Sequence, residues 1–276
     1  MVKRRYILLV GACCYAFAAD VRAADLPRVN VELEADVESA YQAHGAIMDR
    51  RPFSAQYAAM TVDFDALGYV GGYAWSVSGM SRGGQSTAHR NFYNEVDYAL
   101  YYGYKLKMAD EWILDSRIQG QWATLPGFRP HYGTFGEVNV LQSFENPYVV
   151  PYYLYRSRQD RGLWNYWAVG LRRSWKLCEK WSLLTKVYGD FGDNHHSRAV
   201  YGANPNKWDG AYRSGLTALN VFLRLDYAWT KWMSLFVFLH QFDVVRSDAR
   251  DALDHSSAIE ATKDLLMAGV GITLIF

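Results

Sequence analysis

The run Gly189-Asp190-Phe191-Gly192-Asp193-Asn194-His195-His196 offers two carboxylates and two imidazoles, the side chains that bind metals. Zinc takes such ligands when three or four of them converge in a tetrahedral cage. Adjacent histidines on a loop are more often simply solvated, so no metal centre is expected here. Asp254-His255-Ser256-Ser257 has the composition of a hydrolytic triad, but consecutive residues cannot reach one another in the geometry a triad requires. His240 is the one histidine in a strand-like stretch. An outer-membrane lipid hydrolase would need a serine on a neighbouring strand near the lipid boundary, and none pairs with it recognisably. Gly83-Gly84 lies in a polar loop with no helix after it, so it makes no phosphate cradle. The expectation is a chain with no catalytic residues, no cofactor and no metal.

The informative charges sit at every second position. In Val29 to Glu38, Val29, Val31, Leu33, Ala35 and Val37 share one face, and Asn30, Glu32, Glu34, Asp36 and Glu38 share the other. The same alternation puts Asp63, Glu95, Asp97, Asp115, Arg117, Arg172, Lys186, Arg224 and Asp226 on the polar faces of their segments. Such charges are tolerable only in water or in mutual pairs. Either they line a wet channel and select solutes by charge and hydrogen bonding, or they form a paired network that fills a narrow barrel. Acids outnumber bases, and four lie on one strand, which points to a preference for cations or neutral solutes. Tyr57, Tyr101, Tyr166 and Tyr188 fall on the same faces. They fill lumen volume and bond to the charges, or they stack against sugars or nucleobases.

The alternation comes in segments of about ten residues, the length a tilted strand needs to cross a bilayer. Twelve strands are predicted, at 29–40, 54–65, 69–79, 92–104, 112–123, 137–144, 148–156, 163–175, 181–190, 217–229, 232–243 and 265–276, with ten and fourteen as the other counts. Pro147 and Pro151 interrupt the middle of the chain, and Pro151 suggests a bulge. Short turns near 66–67, 109–110, 146–147, 178–179 and 230–231 alternate with long connections at 41–53, 80–91, 124–136, 157–162, 191–216 and 244–264. Trp112, Trp175, Trp181, Trp229 and Trp232 flank short turns, as a girdle at one bilayer interface would. Trp122 and Trp164 lie at the opposite strand ends, near the other girdle. The stretch 232–243 is apolar on both faces, which suggests contact with a plug, an inward-folded loop or a partner subunit.

The N-terminus reads as a secretory signal. Lys3, Arg4 and Arg5 precede the apolar stretch Tyr6 to Ala19, and Val21-Arg22-Ala23 offers a cleavage site, giving a signal peptide over 1–23 and a barrel over 24–276. Val10-Gly11-Ala12-Cys13 is a competing, loose lipobox. Loss of 1–23 leaves 25 basic and 27 acidic residues, a net charge of −2, which gives no reason to expect nucleic acid as a partner. Cys178 is then the last cysteine, so no intrachain disulfide forms. No later stretch of 18 apolar residues exists, which excludes a membrane helix in the mature chain. Aromatic residues make up 16% of the chain, a share that suits a membrane barrel with interfacial rings.

The chain ends in Phe276, with Ala268, Val270, Ile272 and Leu274 at every second position before it. This ending resembles the insertion signal of porin-like outer-membrane β-barrels of Gram-negative bacteria. The resemblance implies an all-β, up-and-down antiparallel transmembrane barrel of about 12 strands in the bacterial outer membrane. It makes Val270, Ile272, Leu274 and Phe276 the membrane-insertion signal, read by the barrel-assembly machinery. Glu32, Glu34, Asp36, Glu38, Glu95, Asp97, Asp115, Arg117, Arg172, Lys186, Arg224 and Asp226 become the pore-lining candidates. The last strand would pair with the first, its small inward residues Gly269 and Gly271 leaving space beside the acids. The expected partners are outer-membrane lipids and small polar solutes. Passive diffusion of those solutes is the leading function. A non-conducting structural or interaction barrel comes second, and a phospholipase-like enzyme third.

Overall fold

The computed structural model describes residues 27–43, 46–79, 95–124, 134–158, 164–201, 210–255 and 262–276. Residues 1–23, expected to be a signal peptide, and Gly83, Gly84, Ser256 and Ser257 lie outside them. The first strand, β1 (Arg28–Glu38), is followed by a short hairpin of β2 (Tyr41–Ala43) and β3 (Ala46–Asp49). Then come β4 (Phe53–Asp63), β5 (Tyr69–Gly79), β6 (Glu95–Ala109), β7 (Trp112–Thr124), β8 (Thr134–Glu145) and β9 (Val150–Arg158). The chain continues with β10 (Asn165–Lys176), β11 (Trp181–Gly192), helix α1 (Asn194–Tyr201), β12 (Gly215–Ala228), β13 (Met233–Val244), helix α2 (Ser247–Asp254) and β14 (Asp264–Ile275).

All strands but β2 and β3 form one closed sheet in the order β1-β14-β13-β12-β11-β10-β9-β8-β7-β6-β5-β4, with β4 returning to β1. Every neighbouring pair is antiparallel. Closure is made by Glu32 to Glu38 of β1 against Ile275 to Gly269 of β14. It leaves no open edge, the condition for a sheet in hydrocarbon. Phe276 extends this seam. Its N–H donates to Val31 O at 2.9 Å, its O accepts from Val31 N–H at 3.0 Å, and its ring stacks on Trp232.

Each of the twelve expected segments holds one barrel strand. Pro151 makes no bulge, because it lies one step past the last β8–β9 pair, Ser143 with Tyr152, and faces Leu171 of β10 in regular register. Its missing N–H therefore costs no rung of the ladder. Register shifts fall elsewhere, at Asp190/Phe191 and at Lys107/Ala109, near strand ends.

The outer face carries a belt of aliphatic side chains: Leu100, Ile118, Val187, Leu266 and Val270 are all more than half exposed. At the short-turn end this belt is rimmed by Trp175, Trp181, Trp229 and Trp232, and at the other end by Trp122 beside its cross-strand partner Tyr98. Trp164 departs from the expected girdle. It is 4% exposed and shares an inward face with Tyr166 and Ala168, its ring 5.1 Å from that of His196.

Inside, large rings sit over glycines. Phe238 lies opposite Gly269 and Phe236 opposite Gly271. A Cβ on either glycine would come within 2.5 Å of the facing ring. Tyr69 covers Gly103, and Tyr101 covers Gly71, in the same way. This accounts for the strand that is apolar on both faces. Phe236 and Phe238 of β13 need no separate plug, since the glycines of β14 receive them. Space beside the acids remains between these rings, in two cavities that Glu32, Glu34, Asp36 and Glu38 line.

Candidate functional site

The polar side of each alternating strand faces the lumen. The structure places Glu32, Glu34, Asp36 and Glu38 there on β1, Glu95 and Asp97 on β6, and Asp115 and Arg117 on β7. Arg172 on β10, Lys186 on β11, and Arg224 and Asp226 on β12 face it too. Their surroundings differ in kind.

One group is a buried network at the long-connection end of β5 to β9. The Gln121 amide donates to Asp97 at 2.6 Å, and Gln121 Oε1 accepts from Asn139 at 2.7 Å and from Tyr73 at 3.0 Å. Glu95 accepts from the hydroxyl of Tyr41, which the β2–β3 hairpin brings in over Phe53, Ala55 and Val77. Glu137 faces Arg156 at 3.9 Å. Polar groups this deeply buried require partners, and the hairpin supplies one.

A second group centres on Arg224. Its guanidinium donates to Glu34 at 2.8 Å, Asp226 at 2.9 Å and Thr273 at 2.8 Å, and covers the ring of Phe236 at 3.7 Å. A third joins Arg172 to Glu145. A fourth runs from Tyr166 through Asp190 (2.5 Å) and Asn220 (2.8 Å) to His240 (2.9 Å), which also meets Tyr188 at 3.2 Å.

Two expectations change here. Asp190 is an inward position near the end of β11, fully buried, and not part of an outer loop. His240 points into the lumen and bonds to Asn220, so it is turned away from the lipid boundary where a phospholipase would use it. The remaining side chains of the metal-like run are spent on structure. Asp193 caps α1, accepting from His196 N–H at 2.6 Å and from Asn165 N–H at 2.9 Å. His196 packs between Trp164 and Tyr166, while His195 is exposed. Among the described residues no three such side chains converge. Asp193→Ala should loosen this cap by about 1 kcal/mol. Limited proteolysis within α1 should then speed up while the barrel stays folded; unchanged protection of α1 would count against the cap.

Glu137, Glu145 and Arg156 were not picked out by sequence, because the two prolines obscured the phase of their strands. Phe135, Glu137, Asn139, Leu141, Ser143 and Glu145 do alternate, and that was the available signal. Tyr69, Tyr73 and Tyr152, also inward, escaped because rings occur on both faces.

Between these groups the lumen keeps open space. One cavity of about 410 Å³ is lined by Tyr69, Asp115, Arg117, Tyr152, Arg172, Lys186 and Tyr188. A second, of about 330 Å³, is lined by Glu32, Glu34, Asp36, Tyr57, Trp75 and Arg224. A third, of about 240 Å³, shares Glu34, Asp36 and Arg224 with the second and adds Glu38, Gln42, Phe222 and His240. At the outer mouth, α1 and α2 pack Tyr201, Ala249 and Ala252 against Phe242, Val244 and Met267.

No protein-family model matches the chain, and no curated protein matches its sequence. Among solved structures, the KdgM porin aligns with 90% of this chain and 99% of its own at 7% identity and a TM-score of 0.47. The NanC porin aligns over the same shares at 9% identity and 0.48. An outer membrane channel from Pseudomonas putida F1 aligns with 94% of this chain and 98% of its own at 10% identity and 0.49.

Proposed function

We propose that the protein is a channel of the bacterial outer membrane that passes small polar solutes by passive diffusion. The observation that carries this reading is a contrast of faces. The outside of a closed barrel is a belt of aliphatic side chains bounded by tryptophans, and the inside holds cavities walled by acidic, basic and hydroxyl groups. The outside suits lipid and the inside suits water. On this reading residues 1–23 are a signal peptide, and the last strand, with Val270, Ile272, Leu274 and Phe276 outward, is read by the barrel-assembly machinery. No covalent step is involved; the lumen charges set selectivity.

The test is conductance of the purified protein in a planar bilayer under a salt gradient. Steady openings are expected. Replacing Glu32, Asp36 and Glu38 by their amides should move the reversal potential toward anion preference, because each removes a negative charge from the lumen wall. The inward hairpin and the buried network around Gln121 favour a second reading, a non-conducting structural barrel. Silence from protein with heat-modifiable gel mobility would sink the channel and leave that one.

A further inference from the structure

The lumen-accessible charges that lack an ion-pair partner are unevenly spread around the barrel. Among the described residues, the carboxylates of Glu32, Asp36 and Glu38 make no ion pair, and all three stand on β1; Glu95, Asp97 and Asp190 make none either but are buried in hydrogen-bond networks, and Asp115 stands on β7 with Arg117. The cations of Arg117 and Lys186 make none either. Arg117 covers the ring of Tyr101, with its Nε buried and unpaired, and Lys186 covers Phe222. Counting around the closed sheet, β11, which carries Lys186, is four strands from β1 in one direction. The strand of Arg117, β7, is four strands from β1 in the other. Both cations line the same cavity, where tyrosine hydroxyls surround them.

The charges lying between do not erase this polarity. Arg224 is outnumbered by Glu34 and Asp226, Arg172 is matched by Glu145, and Asp115, which accepts from Tyr69 at 2.7 Å, offsets one of the two free cations and leaves the other. Twelve strands about 4.8 Å apart, tilted by about 40°, give a barrel roughly 24 Å across its backbone. Long side chains from both walls then leave about 10 Å between unpaired charges of opposite sign, near one screening length at physiological salt.

We propose that the lumen selects dipolar solutes, small molecules carrying an ammonium and a carboxylate, such as amino acids or short peptides. The ammonium faces Glu32, Asp36 and Glu38, and the carboxylate faces Arg117, Lys186 and the adjacent tyrosine hydroxyls. This deepens the channel reading and rests on it. A neutral solute gains nothing from either wall, and a singly charged one is drawn to one wall only. A dipolar solute meets both without a net charge to desolvate.

Swelling of liposomes bearing the full-length barrel tests this, with glycylglycine as the dipolar probe and arabinose as a neutral probe of similar size. Glycylglycine should enter about threefold faster, a modest ratio because each contact is screened by water. The variant Glu32→Gln/Asp36→Asn/Glu38→Gln and the variant Arg117→Gln/Lys186→Gln should each bring the ratio near one. Heat-modifiable gel mobility unchanged from the parent should show that both variants are folded. Equal rates in the unmodified barrel, or a ratio unmoved by both variants, would overturn the inference and leave the channel standing. No entry of arabinose at all would overturn both.

Discussion

Replacing Arg224 with glutamine is expected to lower the stability of the barrel by about 3 kcal/mol, the low end for breaking a buried ion pair. The low end applies because the guanidinium keeps 18% of its surface exposed to the lumen. The size follows from what one side chain holds together. Arg224 bonds Glu34 of β1, Thr273 of β14 and Asp226 of its own strand, and lies on Phe236 of β13. Four consecutive strands of the closed sheet therefore meet at one cation, across the seam where the chain's first and last strands pair. Glutamine keeps some bulk and a donor but removes the cation that pairs with Glu34 among the four acids of β1. Urea unfolding in detergent at low and at high salt measures the loss, because salt screens repulsion among the acids: a salt-independent loss would assign the role of Arg224 to packing on Phe236, and no loss would remove it from the seam altogether.

The architecture was legible because the two faces of each strand meet opposite solvents. A residue facing lipid and one facing water differ so strongly that period two survives in twelve segments, and strand count and direction follow. Legibility failed where a residue's environment is set by something other than its own strand. Trp164 obeys the inward phase of Tyr166 and Ala168, but a tryptophan at a strand end reads as a girdle residue until α1 brings His196 against it. Asp190 reads both as the last residue of a strand and as part of a loop run of metal-like ligands, because the register shift beside it hides that β11 continues to Gly192. His240 was visible as a lone strand histidine. Its partner Asn220 and, through Asn220, Asp190 are 20 and 50 residues away in the chain, and only the register of β11, β12 and β13 brings the three together. The candidate site was legible as a roster of inward charges. Which of them are spent on one another, and which stay free to meet a solute, depends on distances across strands that alternation cannot supply.

The packing of rings over glycines leads to the other large effect. Gly269→Ala should destabilise the barrel by about 2 kcal/mol, because the new methyl would stand 2.2 Å from Cε1 of Phe238 and 3.0 Å from the carbonyl oxygen of Val37. The ring is the harder obstacle, so relief should come from changing it. Phe238→Leu costs packing in the parent barrel, but in the Gly269→Ala background it should be neutral or stabilising. That gives a coupling of about 1 kcal/mol or more in a double-mutant cycle. Ala268→Val on the lipid side of the same strand is the control, expected within about 0.5 kcal/mol of the parent. Additivity of the two inward changes would mean that ring and glycine are neighbours without being mates. Coupling would mean that the inward glycines of β14 set how far the phenylalanines of β13 project toward the acids of β1. The free width of the lumen on that side would then be fixed by residues that carry no charge, and glycine positions would join the ionised wall in deciding which solutes fit.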